Sequence, residues 1–453
     1  VLGVTRRQIL RGLAAAPALG LRAARNLDPD SFEAVQTLGG VLSSDPAARR
    51  QAFALFDEHW REGFVTMALE LADLARDAEI RRRLYRTLQK GTRKRFGTPD
   101  EWRRWLWSEP RQDHPYYAEF KSMLYGLIDP RFQGYFAVDR PARIRLDEVR
   151  WGGVKQDGIP PLRDPKMIPA DEAAYLEDDH IVFGLEVNGD ARAYPKHILA
   201  WHEMFVDDVG GARVAGVYCT LCGTVVVYDT AVDGVRHELG TSGFLYRSNK
   251  LMYDRATQSL WNTLWGEPVI GPLAKSGIVL PRRSAVTTTW GEWRRRHPKT
   301  QALSLDTGYD RDYSEGAAYR DYFATDELMF AVPELDRRLK NKDEVLALVF
   351  PEAPGEALAI AQKLLAKRPV YEDALGPREF VVLTDSSGAN RVYERGGVHF
   401  ASYDGESQAR DSGGRVWRVA EDGLHEPGGR SLRRLPAQRA FWFGWRAAYP
   451  ETR

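Results

Sequence analysis

The chain has 453 residues, 43% hydrophobic and 28% charged, enough to bury cores in two or three domains of ordinary globular composition. Its 64 basic and 63 acidic side chains leave a net charge of +1, so overall charge gives no reason to expect nucleic acid or anionic lipid as a partner. There are only two cysteines, Cys219 and Cys222, which excludes a disulfide-stapled framework.

The N-terminus reads VTRRQILRGLAAAPALGL. Its paired Arg6-Arg7, the apolar Ile9-Leu10, the basic Arg11 and the apolar run Gly12 to Leu21 follow the order of a twin-arginine export signal. The apolar run is too short to span a bilayer as a helix, and Ala14, Ala16 and Ala18 supply small residues for cleavage. Residues 1–25 are therefore expected to be a signal segment, and the protein to be periplasmic or extracytoplasmic. No further transmembrane span is expected.

Residues 28–135 are predicted to form a helical domain. The stretches DPAARRQAFALFDEHW, EGFVTMALELADLARD and AEIRRRLYRTLQKGTRKRFG carry apolar residues at i, i+3, i+4 spacing. Asp45-Pro46 reads as a helix start and Gly97 as a stop. Trp102, Trp105 and Trp107 suggest a packing or docking face.

The texture changes near Ile144. A β-rich domain is predicted over 140–335, with hairpins in IVFGLEVNGDARAYP about Asn188-Gly189 and in VDDVGGARVAGVYC about Gly210-Gly211. A second, degenerate β-rich unit is predicted over 336–453, because motifs recur in order at an offset of about 150 to 165 residues. TTWGEWRRRHP matches AFWFGWRAAYP, both W-x-x-W-x-x-x-x-P. YDRATQSLW matches RDSGGRVW, and HIVFGLEVNGDARAYP matches DEVLALVFPEAPGEALAIA more weakly. The fold class is thus α+β: a helical segment, then two related β-rich units joined by internal duplication.

Within the first unit, GVYCTLCGTVVVYD places Cys219 and Cys222 in a turn between two strands. Two cysteines two apart followed by Gly223 resemble a metal-binding knuckle, in which both sulfurs face one side. A thioredoxin-type motif would instead open a helix. The corresponding stretch of the second unit, FVVLTDSSGANRVYER, has the strands but no cysteine, so the fold does not require the pair. A tetrahedral metal wants more than two ligands; His197, His202, Glu203 and His237 are candidates, with His202 preferred as the third ligand. Copper or zinc suits such a set. A polar wall follows in GTSGFLYRSNKLMYDRATQSLW, where Tyr246, Arg247, Tyr253 and Asp254 are candidate proton donors or anion clamps.

DGIPPL, NGDARAYP, WHE, YCTLCGT, SGFLYRSNKLMYDRATQSLW, GPL, TTW and FWFGW together resemble the bacterial proteins grouped as domain-of-unknown-function family 3179 (DUF3179), over about residues 144–453. The chain departs from the family's usual pattern at Thr220, where proline is common. The resemblance carries no activity with it, so function must be argued from the residues. They support an exported protein that binds copper or zinc through Cys219, Cys222 and His202, with catalysis left open. The alternatives are a non-catalytic envelope binding or scaffold protein and a metal-free thiol–disulfide redox protein. The partner expected is a small molecule or an envelope protein, and not nucleic acid.

Overall fold

The computed structural model describes residues 27–110, 113–137 and 139–453. The predicted signal segment, 1–25, lies outside the described residues. Among these residues no helix is long and apolar enough to cross a membrane. The chain divides into two units, one running to Gln156 with Thr257–Leu260 and Pro268–Gly277 added, the other comprising Asp157–Ala256, Trp261–Glu267 and Ile278–Arg453.

The first unit is helical, as the apolar spacing requires. Its helices are Phe32–Gly39, Pro46–Glu58, Phe64–Leu74, Ala78–Thr92, Pro99–Ser108 and Tyr117–Gly126. Asp45 caps the second, its carboxylate accepting from the Ala47 amide at 2.9 Å with Pro46 at the first helical position. Thr98 and Glu101 form a capping box ahead of Trp102. The helix expected to stop at Gly97 ends earlier, at Thr92, because Arg93 turns left-handed at φ 58°. Trp102 and Trp107 are buried, and Trp105 meets Trp102 edge-on at 5.8 Å, so these tryptophans serve packing. Glu70 is buried in this core and paired there: Lys121 donates to it at 2.5 Å and the Tyr117 hydroxyl at 2.8 Å.

The second unit is β-rich. Its hairpins lie where the turn dipeptides put them. Val187 pairs with Asp190 about Asn188-Gly189, whose φ values are 50° and 84°. Val209 pairs with Ala212 about Gly210-Gly211, at 53° and 81°. Both are two-residue turns of the kind that matches strand twist. One five-stranded sheet runs in the order Arg282–Arg283, Thr224–Asp229, Ala212–Cys219, Met204–Val209, Leu162–Arg163. A second runs Val286–Thr289, Ile181–Val187, Asp190–Pro195, Gln301–Leu303, Met167–Pro169. Farther along the chain, a three-stranded sheet (Leu358–Ala361, Glu344–Leu348, Gln438–Phe441) accompanies an eight-stranded one that begins with Val370–Leu375, Arg378–Thr384 and Asn390–Glu394.

The two tryptophan motifs adopt the same local structure. Val286–Thr289 leads into the helix Trp290–Arg296, and Gln438–Phe441 into Trp442–Ala448. The Trp293 indole donates to the Thr300 hydroxyl at 2.8 Å, and the Trp445 indole to the Thr452 hydroxyl at 2.9 Å. The ring of Trp293 lies 4.1 Å from that of His297, and Trp445 lies 4.2 Å from Tyr449.

Candidate functional site

The cysteine turn is built from the edge of one hairpin. Cys219 ends the strand Ala212–Cys219, Thr224 begins the next, and the two residues pair across the turn. The Cys222 amide donates to the Cys219 carbonyl at 3.1 Å, closing the turn. Gly223 follows at φ 59°, where an added Cβ would lie 2.9 Å from the Phe441 ring, so both conformation and space demand glycine. The Phe441 amide donates to the Cys222 carbonyl at 2.7 Å. Gly444 presses on the same side: a Cβ there would lie 3.1 Å from the Cys222 Cβ and 3.5 Å from its sulfur.

The two sulfurs stand 2.7 Å apart and both thiols are free. Cys219 is 4% exposed and Cys222 is fully buried. The Cys222 thiol also lies 3.2 Å from the Ser248 carbonyl, its second possible acceptor. Burial works to raise the Cys219 pKa, but the hydrogen bond from Cys222 and the backbone amides of Lys250 and Cys222 outweigh it and leave the thiol below its usual range. Burial pushes Cys222 well above its usual range, and the hydrogen bond to Cys219 and the charge that Cys219 would carry add to this. The two thiols are therefore inequivalent, Cys219 being the one more readily ionised.

A buried ion pair frames the sulfurs. Glu203 stands just after the helix Lys196–His202 in a left-handed conformation, φ 55°. Its carboxylate accepts from the Lys250 ammonium at 2.8 Å, the Thr220 hydroxyl at 2.8 Å and the Tyr319 hydroxyl at 3.2 Å. Thr220 lies between the cysteines, so the turn is tied directly to Glu203. Lys250 lies on the strand Asn249–Asp254, every residue of which is buried. Tyr319 and Tyr322 cover the sulfurs together with Leu221, Leu245, Phe323 and Phe330. The Tyr322 hydroxyl donates to the Leu221 carbonyl at 2.8 Å.

The hairpin Leu239–Tyr246 to Asn249–Asp254 supplies Ser248 and Lys250. Its turn is Arg247-Ser248, with φ values of 47° and 67°, a pair of left-handed residues neither of which is glycine. That geometry costs each residue on the order of 1 kcal/mol. Here it directs the Ser248 carbonyl toward Cys222. Asn249 donates to the Gly444 carbonyl at 3.0 Å and Arg247 to the Ala447 carbonyl at 3.2 Å, fixing the turn against the helix Trp442–Ala448.

The other residues singled out from the sequence fall in separate places. His202 is buried and has both ring nitrogens engaged. Nδ1 lies 2.9 Å from the Pro160 carbonyl, which can only accept, so Nδ1 carries the proton. Nε2 then accepts from the Tyr313 hydroxyl at 2.6 Å. Burial, with the Arg311 charge adding to it and the Pro160 carbonyl opposing, lowers the His202 pKa to about 4. His197 faces Glu315 at 3.2 Å, and His237 bonds Asp254 at 3.0 Å. Tyr253 donates to Asp157 at 2.5 Å. Tyr246 is buried with its ring 5.8 Å from that of Trp265. Among the described residues, the group of three or more metal-ligand side chains whose donor atoms converge is Glu177, Asp179 and His180, which contains neither cysteine. Lys250, Tyr319 and Tyr322 join the site without having been singled out by any sequence motif. A lysine in a strand buried on both faces is a signal the sequence did offer; the tyrosines come from an irregular stretch about 100 residues beyond the cysteines and offered none.

No curated protein and no solved structure matches the chain. One family model does, described as "Protein of unknown function (DUF3179)", over residues 156–452, which takes in the cysteine turn, Glu203, Lys250 and both tryptophan motifs. The chain belongs to the DUF3179 family.

Proposed function

We propose that this is an extracytoplasmic thiol–disulfide redox protein whose working groups are Cys219 and Cys222. The observation that carries the reading is the buried pair of free thiols with sulfurs 2.7 Å apart, whose unequal hydrogen bonding favours Cys219 over Cys222 as the thiolate. A Cys219 thiolate attacks a sulfur of a partner disulfide, forming a mixed disulfide and releasing one partner thiolate, which takes up a proton. The Cys222 thiol then loses its proton and attacks the Cys219 sulfur, closing the internal disulfide and releasing the second partner thiolate. Two thiols are oxidised and one disulfide is reduced. Glu203, tied to the turn through Thr220 and paired with Lys250, is the carboxylate we assign to exchange the Cys222 proton. Partner access requires Tyr319 and Tyr322 to move from above the sulfurs.

The metal reading starts from the same turn and asks more of the geometry. A tetrahedral ion with sulfur bonds of about 2.3 Å would hold the sulfurs roughly 3.8 Å apart. His202 would have to release Tyr313 before its Nε2 could bind. Copper(I) held by the two thiolates alone avoids the second demand.

We also infer an internal duplication. It is supported by the two matching Trp–Thr bonds and by two hairpins that each pair with the strand leading into a tryptophan helix. The counterpart of the cysteine turn is Asp385–Ala389, where Arg391 donates to Asp385 at 2.7 Å in place of any sulfur chemistry.

The test is a redox titration of the full chain in glutathione and dithiothreitol buffers, read by thiol alkylation and mass, with elemental analysis alongside. A two-electron midpoint between about −120 and −300 mV, absent in Cys219→Ala, supports the redox reading. About one equivalent of copper or zinc that is lost in Cys219→Ala/Cys222→Ala would transfer the site to the metal reading.

A further inference from the structure

The near-zero net charge conceals a local excess. Residues 81–95 carry eight arginines and lysines and no acidic residue, so the rest of the chain is net negative. They occupy the helix Ala78–Thr92 and the turn after it. The apolar stripe of that helix buries Leu84 and Leu88, which leaves the basic residues outward. Arg81, Arg82, Arg86, Lys90, Arg93, Lys94 and Arg95 are all exposed. Arg83 and Lys90 reach Asp57 only loosely, at 3.7 and 3.6 Å. Among the described residues Arg81, Arg82, Arg86, Arg93, Lys94 and Arg95 take part in no ion pair. Like charge concentrated without ion-pair partners on one helix and the turn after it opposes folding.

The face also carries a cleft. A cavity of about 310 Å³ lies in the helical unit, lined by Arg82, Arg86, Tyr85, Phe96 and Trp102 among others. Arg82 and Arg86 are one helical turn apart and rim it together. Its lining thus combines two arginines with three aromatic side chains, in a volume that admits a phosphate group.

We propose that this basic face docks the protein on an anionic lipid surface, with a headgroup phosphate seated between Arg82 and Arg86. Long side chains without fixed partners recognise charge density and not a sequence, and a fluid layer of anionic headgroups presents charge in that form. Tyr85 and Phe96, both part-exposed in the same lining, suit the polar–apolar boundary of a bilayer. Several Lys and Arg side chains near such a surface act together, giving stable adsorption that salt reverses.

The experiment is flotation of the full chain with vesicles of phosphatidylglycerol and phosphatidylcholine, against phosphatidylcholine alone, at low and high salt. Arg82→Glu/Arg86→Glu/Arg93→Glu/Arg95→Glu is run beside it, with circular dichroism to verify folding. These side chains are exposed and unpaired, so the fold is expected to be unchanged. The native chain should float with anionic vesicles only and detach at about 0.5 M salt, where screening is nearly complete. The reversed variant should bind at least about 100-fold more weakly. It retains the basic N-terminal segment, so undiminished binding by the variant would place the contact there and overturn the proposal. Equal binding to neutral vesicles would also overturn it, as would capture of duplex DNA or poly-glutamate without vesicle binding.

Discussion

At the scale of single residues, the site turns on how one proton is shared. With both thiols protonated, Cys219 can donate to the Cys222 sulfur while Cys222 donates to the Ser248 carbonyl. When Cys219 ionises, the Cys222 proton turns to the new thiolate, and a charge-assisted bond replaces a neutral one. Removing that donor should raise the Cys219 pKa. In Cys222→Ala, thiolate absorbance near 240 nm should therefore appear at higher pH than in the native chain; an unmoved titration would mean that the backbone amides set the value alone. The ion pair beside the sulfurs makes a second demand. Lys250→Met would leave the Glu203 carboxylate buried without its cation, which typically costs about 3–5 kcal/mol. Adding Glu203→Gln should recover most of the loss in urea unfolding of the full chain. If the double variant is no more stable than the single, the pair's role lies in packing and not in charge.

At the scale of elements, the helix Lys196–His202 ends in a histidine that ties two distant segments together, through Pro160 on one side and Tyr313 on the other. Folded His202 titrates near pH 4, against about 6.5 when unfolded. Between those values the unfolded chain binds a proton that the folded chain does not, so stability falls as pH drops from about 6.5 toward 4. The loss amounts to roughly 3 kcal/mol at about 1.4 kcal/mol per pH unit. Urea midpoints at pH 7 and pH 4.5 should diverge in the native chain and diverge less in His202→Gln; identical slopes would remove His202 from the acid response. The same helix marks the limit of what was legible in the sequence. Its extent, and the hairpins on either side, follow from local pattern and from turn dipeptides such as Asn188-Gly189. The destination of its polar groups does not. His202 and Glu203 are neighbours in sequence, yet one bonds a tyrosine at 313 and the other a lysine at 250. From the sequence, only residue type separates His202 from Glu203 as a ligand. Only tertiary placement shows that Glu203 is the one tied to the cysteine turn, through Thr220.

At the scale of the molecule, the two tryptophan motifs present one structural device used twice with different neighbours. Trp293 and Trp445 each bond a threonine seven residues on, and each helix ends against a ring four residues on. The residue before Trp445 is Gly444, which leaves room for Cys222; the residue before Trp293 is Glu292, whose carboxylate accepts from Arg296 at 2.6 Å. About the turn Asp385–Ala389 the chain carries buried charge and no sulfur. Arg391, fully buried, bonds Asp385 at 2.7 Å and Glu421 at 2.6 Å, and Arg434 bonds Glu421 at 3.0 Å. If the motifs descend from one ancestor and only the cysteine turn carries the proposed redox chemistry, equivalent lesions should have equal structural and unequal functional effects. Trp293→Phe and Trp445→Phe each lose one buried hydrogen bond, a cost of about 1–2 kcal/mol. The two variants should therefore melt at similar temperatures. Trp445→Phe should also shift the thiolate titration, because it loosens the helix that carries Gly444 against Cys222, whereas Trp293→Phe should leave that titration where it is. A shift of the same size in both would mean that the cysteine pair responds to stability in general, and the argument for a dedicated site at the cysteine turn would fail.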